Sequence, residues 1–483
     1  MRSYKQTMLL AALCLLLITP MAALAQADTA LSYGSSLDGA ITDAQPEVRY
    51  TFSGAAGDLI VARMMATDTE LDSYLILLDP SGEQITFDDD DGGSLNSLIG
   101  PFSLPIDGEY TLIATHCCPS GSYNSSGSFV ISVNKIDAQP LTADEPLAFD
   151  LADAQQVLVY AYTATEPQVV FVQTHDLSVP GGVTLSVLNL SQDMSLYDSN
   201  QELDPSLEPA APVYLSAPGD YLVTLRQETV AFDAEAAPVS GNLSASVLPM
   251  TALTLGESVS GTLDDANPFA VHSFDVSDTQ LLSLSGSSES GTAPYELVIY
   301  DPTGAPILYN STAFADDNTF SYDPVQLTES GTYVAIARRT DVGTSSTYTY
   351  AIGESQTAVL VLGEEVTGEL PIQNEVFERV YRLDGISGQR VRITLRSIDN
   401  QYAPGIYIQG PATSDAAPDS SSIPGSGNNY NLNLNSSTPG TVTYETVLPA
   451  TGAYVVRVSN IASAYGSTAF PGHYSLLIEA LDQ

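Results

Sequence analysis

Tryptophan is absent from this 483-residue chain, cysteine occurs three times and histidine four, and 14 Lys and Arg face 58 Asp and Glu. A formal net charge of −44 leaves no basic surface to neutralise phosphates, so nucleic acid is excluded as a partner. An anionic lipid surface would repel the chain as well. So few cysteines cannot form a disulfide framework, and any domains must be held by their cores. Without tryptophan, the flat aromatic platforms that sugar sites favour would have to come from tyrosines, which alternate here in strand-like stretches suited to core roles. The histidines His116, His175, His272 and His473 are widely separated, so no two-histidine zinc site is in prospect, and neither His-Glu-x-x-His nor Gly-x-Ser-x-Gly occurs. His272 alternates with Ala270 and Phe274, as a packed, hydrogen-bonded histidine would. No catalytic residue is assigned, no organic cofactor is expected, and the chain reads as a non-enzyme.

The first segment is of another kind. Arg2 and Lys5 precede the apolar run Met8 to Ile18, and small-residue sites follow at Ala23-Leu24-Ala25 and Ala25-Gln26-Ala27. This predicts a signal peptide over 1–27 and export to a secreted, cell-surface or periplasmic location. The run is short for a membrane anchor, and no span is expected after cleavage. Leu13 before Cys14 argues against a lipid anchor. Lys135 is then the last lysine. Leu448-Pro449-Ala450-Thr451-Gly452 spells a sortase signal, but the residues behind it are mixed and acidic at the end rather than apolar and basic.

A repeat explains that lookalike. Leu-x-x-x-Gly-x-Tyr occurs at Leu104 to Tyr110, Leu215 to Tyr221, Leu327 to Tyr333 and Leu448 to Tyr454. The glycines step by 219−108 = 111, 331−219 = 112 and 452−331 = 121 residues. Asp79-Pro80-Ser81-Gly82 recurs as Asp301-Pro302-Thr303-Gly304, 222 residues on, and each is turn chemistry after an apolar strand. The second copy has lost this turn, and the fourth retains only Gln409-Gly410-Pro411. Gly39, Gly261 and Gly368 open their copies. The expected modules are 28–137, 138–249, 250–355 and 356–483.

Within the repeat, Val391, Ile393 and Leu395 alternate with Arg390, Arg392, Thr394 and Arg396, the period-two pattern of a half-buried antiparallel strand. No later stretch has a convincing helical period. The fold class is therefore all-β, four tandem antiparallel β-sandwich (jelly-roll-like) domains. The marker resembles the tyrosine-corner device of such sandwiches, with Leu sealing an edge, Gly allowing the turn and Tyr setting its ring on the core.

In order, Leu71-Asp72-Ser73-Tyr74-Leu75, Asp79-Pro80-x-Gly82, Asp88 to Asp91 and Leu104…Gly108-x-Tyr110 resemble the bacterial pre-peptidase C-terminal domain. The third copy is similar more distantly, and the second and fourth in framework only. The resemblance implies a β-sandwich found beside secreted peptidases and on surface proteins. Its relatives include calcium-dependent collagen-binding modules of secreted bacterial collagenases. The family's calcium ligands lie largely in an N-terminal linker, so no ligand set carries over here.

Three clusters are candidates for chemistry. Asp88, Asp89, Asp90 and Asp91, with Asp72 nearby, offer the carboxylate oxygens that calcium takes from flexible loops. A solvated acidic hairpin would look the same, and adjacent strand residues face opposite ways. Asp316 and Asp317 form a weaker counterpart. Arg390, Arg392 and Arg396 share one face. That face would dock an anionic polymer or an acidic neighbouring module, or serve as a charge-blunted exposed sheet. Cys117 and Cys118 suit a vicinal disulfide, an intermolecular one, or a copper or zinc site with His116. The stretch Thr413 to Pro439 reads as a long loop. The expected function is non-catalytic presentation of these modules to an extracellular polymer, protein or polysaccharide. A stalk or envelope spacer is the alternative, which large apolar contacts between modules would favour.

Overall fold

The computed structural model describes residues 28–481 apart from 68–70, 94, 118–124, 153–155, 181, 191–193, 199–209, 228–237, 278–279, 290–291, 312–317, 328, 340–343, 371–377, 399–403, 413–428, 436–439 and 461–471. The described residues contain no helix. The first nine strands are β1 (Thr29–Ala30), β2 (Ser35–Ile41), β3 (Glu47–Gly54), β4 (Leu59–Ala66), β5 (Ser73–Leu78), β6 (Gln84–Asp88), β7 (Ser97–Ser103), β8 (Gly108–His116) and β9 (Gly127–Lys135). They form a five-stranded sheet, β1-β3-β8-β5-β6, and a four-stranded sheet, β2-β9-β4-β7. The same two orders recur three more times along the chain, giving four sandwiches in series. Their core clusters run from Leu31 to Val133, Leu141 to Ala245, Leu253 to Ile352 and Leu360 to Ile478.

Pairing is antiparallel with one exception in each sandwich, which the sequence reading did not anticipate. The first strand, two or three residues long, joins its sheet parallel, with Thr29 opposite Tyr50, Gln139 opposite Tyr160, Met250 opposite Val271 and Val359 opposite Arg382. Segments this short are too brief for alternation to register. A second difference concerns Thr413 to Pro439. Within it, Asn429–Asn435 is an edge strand paired with Pro404–Ala412. Leu432 packs against the fourth core, and the asparagines around it disguise a period of two as loop composition.

The repeated marker acts mechanically in all four sandwiches. Leu104, Leu215, Leu327 and Leu448 are buried. The hydroxyls of Tyr110, Tyr221, Tyr333 and Tyr454 donate to the carbonyls of Ile106, Ala217, Glu329 and Ala450 at 2.6, 2.8, 3.0 and 2.8 Å. Each also accepts the N–H of that same residue. Four tyrosine corners thus tie the turn to the core. The glycine between takes φ of 142° to 154°, open to it alone at no steric cost. A Cβ on Gly108, Gly331 or Gly452 would strike Pro80, Pro302 or Pro411, whereas one on Gly219 would meet nothing. The second sandwich, which lost the proline turn, has also lost the contact that the proline makes.

Candidate functional site

The acidic turn between β6 and β7 is braced from within. Asp88 ends β6 with its side chain buried, and its Oδ2 accepts the N–H groups of Leu98 (2.7 Å) and Asp91 (3.2 Å). Burial pushes its carboxyl up to about 7, against the lowering effect of those N–H donors. Asp89 caps the N–H of Asp90, and Asn96 closes the loop on the carbonyl of Gly93. Burial first, then the charge of Asp89, holds the Asp72 carboxyl above its usual range, and Asp90 is raised by burial, Asp89 and Asp72. The turn therefore brings Asp72, Asp89 and Asp90 within mutual electrostatic reach, while Asp88 works for the backbone. Among the described residues, no group of three or more His, Cys, Asp or Glu side chains is arranged to hold a metal ion. Asp316 and Asp317 lie outside the described residues. Asp79 and Asp301 are turn formers, each accepting two backbone N–H groups and one hydroxyl.

Arg390, Arg392 and Arg396 do share the outward face of the fourth sandwich's four-stranded sheet. Arg392 makes two hydrogen bonds to Glu445 at 2.7 and 3.0 Å, and Arg390 lies 3.7 Å from the same carboxylate. The Sγ of Cys117 lies 3.9 Å from Asp89 Oδ2, and Cys118 is outside the described residues. His272 is packed, 2.7 Å from the hydroxyl of Tyr350, and burial lowers its pKa. A groove of about 530 Å³ opens on the third sandwich, lined by Ser283, Ser285, Ala351 and Gly353, with Glu354 as its one charged residue.

The residues most engaged outside the cores were missed by the sequence reading. Val169, Tyr214, Val271, Val334 and Ile336 form a buried cluster of their own. The first two stand on the outward face of the second sandwich's four-stranded sheet, the others on the outward face of the third's five-stranded sheet. Phe171 meets Phe269 across this junction at 4.8 Å between ring centres, Tyr214 meets Tyr300 at 6.3 Å, and Ser216 donates to the carbonyl of Thr303. Leu281, Ala453, Val455 and Val380 repeat the arrangement between third and fourth, with Gln326 Nε2 donating to the carbonyl of Ala453 at 3.0 Å. On the equivalent faces of the first and second sandwiches, Val61 and Leu98, and Val159 and Leu222, are buried yet belong to neither core. Arg226 donates there to the carbonyl of Asp91. The available signal was apolar residues side by side, as in Val169-Val170 or Tyr333-Val334-Ala335-Ile336, where a half-buried strand would alternate.

No family model matches the chain. A probable subtilase-type serine protease from Deinococcus radiodurans is 39% identical over 83 residues, 16% of this chain and 11% of that protein. The chain thus corresponds to a small part of this curated relative. The pre-peptidase C-terminal domain of a Bacillus anthracis collagenase covers 22% of this chain and 94% of its own at 18% identity, with a TM-score of 0.19. The BSP domain of a biofilm-associated protein covers 90% of this chain and 97% of its own at 10% identity and a TM-score of 0.14.

Proposed function

We propose that this chain is a non-catalytic, exported spacer of pre-peptidase-like sandwiches, stacked face to face so that its outermost loops are carried at a fixed distance. One observation carries the reading. At the second and third junctions, the outward face of one sandwich's four-stranded sheet is buried against the outward face of the next one's five-stranded sheet. Loosely strung modules would keep those faces polar; here they hold valines, leucines and rings out of water. Small-angle scattering tests it: the wild type should fit a single rigid arrangement. Scattering like four independent beads would overturn it.

A second reading, uptake of calcium at the acidic turn, rests on the mutual electrostatics of Asp72, Asp89 and Asp90, which as they stand are not arranged to hold an ion and would have to close on it. A divalent ion relieves such crowding. Calorimetric titration of calcium should give heat with the wild type that Asp89→Asn/Asp90→Asn abolishes. Equal signals from both, or none from either, would remove calcium from the account.

A further inference from the structure

The second and third junctions share one register. Val169 clusters with Val271 at the second, and Leu281 with Val380 at the third. Val169 pairs with Tyr214, and Leu281 with Gln326, each partner one residue before a marker leucine. Val271 pairs with Ile336, and Val380 with Arg457, each partner five residues after a marker glycine. Leu59, opposite Ser103, and Val159, opposite Thr224, hold the same positions at the first junction.

Among the described residues, two such faces have no neighbouring sandwich against them, one on the first sandwich and one on the fourth, and both change character at that position. On the first, the place of Val159, Val271 and Val380 is taken by Arg49, opposite Ile113. On the fourth, the place of Leu59, Val169 and Leu281 is taken by Arg390, opposite an exposed Val447. Arg392 stands where the second sandwich has Phe171. Each end arginine sits beside carboxylates of its own sandwich, Arg49 at 3.6 Å from both Asp28 and Glu47, Arg390 at 3.7 Å from Glu445.

We propose that Arg49 and Arg390 keep the fourth sandwich of one copy from docking on the first sandwich of another, a contact the repeat otherwise allows. A head-to-tail contact of this kind does not close on itself, so a chain with two complementary apolar ends would grow into filaments. Solenoids prevent this with a polar outer face on their terminal units. Docking here would press Arg390 against Arg49 where Val169 meets Val271, taking both guanidinium groups and the carboxylates beside them out of water. These two faces are remote in sequence from the acidic turn, and uptake of an ion there would leave Arg49 and Arg390 in place.

Two full-length variants make the test. Arg49→Val restores an apolar first face; Arg390→Val/Arg392→Phe copies Val169 and Phe171 onto the fourth. Each alone, like the wild type, should sediment as a monomer, because each still presents one charged end. Mixed in equal amounts, they should form a species of twice the mass, and the three substitutions in one chain should give open-ended polymers. Far-ultraviolet circular dichroism and thermal melts check that every variant is folded, which surface positions on completed sheets should permit. A mixture of folded variants that stays monomeric would overturn the proposal. So would a wild type that already associates and is dispersed by Arg390→Glu/Val447→Glu.

Discussion

The second and third junctions use equivalent faces and are built to different strengths. The second packs two partly buried ring pairs around Val169, Tyr214, Val271, Val334 and Ile336. The third is lean: Leu281, Ala453 and Val455, with Val380 beside them, and a glutamine in the place of Tyr214. Gln326 gives one amide hydrogen to the carbonyl of Ala453, yet its Oε1 is buried with no hydrogen-bond partner among the described residues. Apolar burial stabilises by roughly 25 cal/mol per Å², whereas a buried polar atom without a partner costs about 1–3 kcal/mol. The difference teaches that geometry repeats more faithfully than energy, and it ranks the junctions: the second should open last.

The sharpest break is at the second junction. Val169 is 0% exposed, so Val169→Asp would bury an unpaired carboxylate, at a cost of about 3 kcal/mol or more. The expected result is one cooperative calorimetric transition splitting in two, with a scattering curve that no longer fits a rigid stack while the strand content is kept. A smaller effect should appear at the first junction, where the loop that Asp88 braces hands the carbonyl of Asp91 to Arg226. The Asp88 carboxyl lies at about 7 in the folded chain and near 3.9 when unfolded. Between those values the folded state holds the extra proton. Its contribution is therefore fully present below about pH 4 and is lost as pH rises through about 7, at a slope of at most about 1.4 kcal/mol per pH unit. Melts of the first sandwich at pH 5.5 and pH 8 should differ accordingly, and Asp88→Asn should flatten the difference. A wild type indifferent to pH in that window would disprove the protonation.

Much of this was legible in the residues, and the part that was not has a physical reason. Leu-x-x-x-Gly-x-Tyr specifies a local device, and the four tyrosine corners fulfil it atom by atom. Strand Arg390–Ser397 alternates cleanly because its outward face meets solvent. For that reason it is a poor guide to the strands at the junctions. Those are covered on both sides, so Val169-Val170 or Val455-Val456 reads as generic hydrophobicity and loses the phase that tells inside from outside. Asp88 shows the same limit from the polar side. Four consecutive aspartates suggest a shared ligand, yet the pleat turns the first of them inward to hold Leu98 and Asp91. Composition signals that carboxylates are close together; only the register says which of them serves the backbone.

The lean junction gives the finest discrimination. Gln326→Ala removes the bond to the carbonyl of Ala453, and with it the buried oxygen that has no partner. The two effects oppose, so the net loss should be about 1 kcal/mol rather than the value for a fully satisfied buried bond. Gln326→Met should cost less still, since a flexible thioether refills the space and leaves no polar atom of its own to satisfy. Both are read as shifts in the unfolding of the fourth sandwich against the third. A loss with Gln326→Ala as large as that of Val169→Asp would mean that this amide holds the junction, and the ranking of the two junctions would reverse.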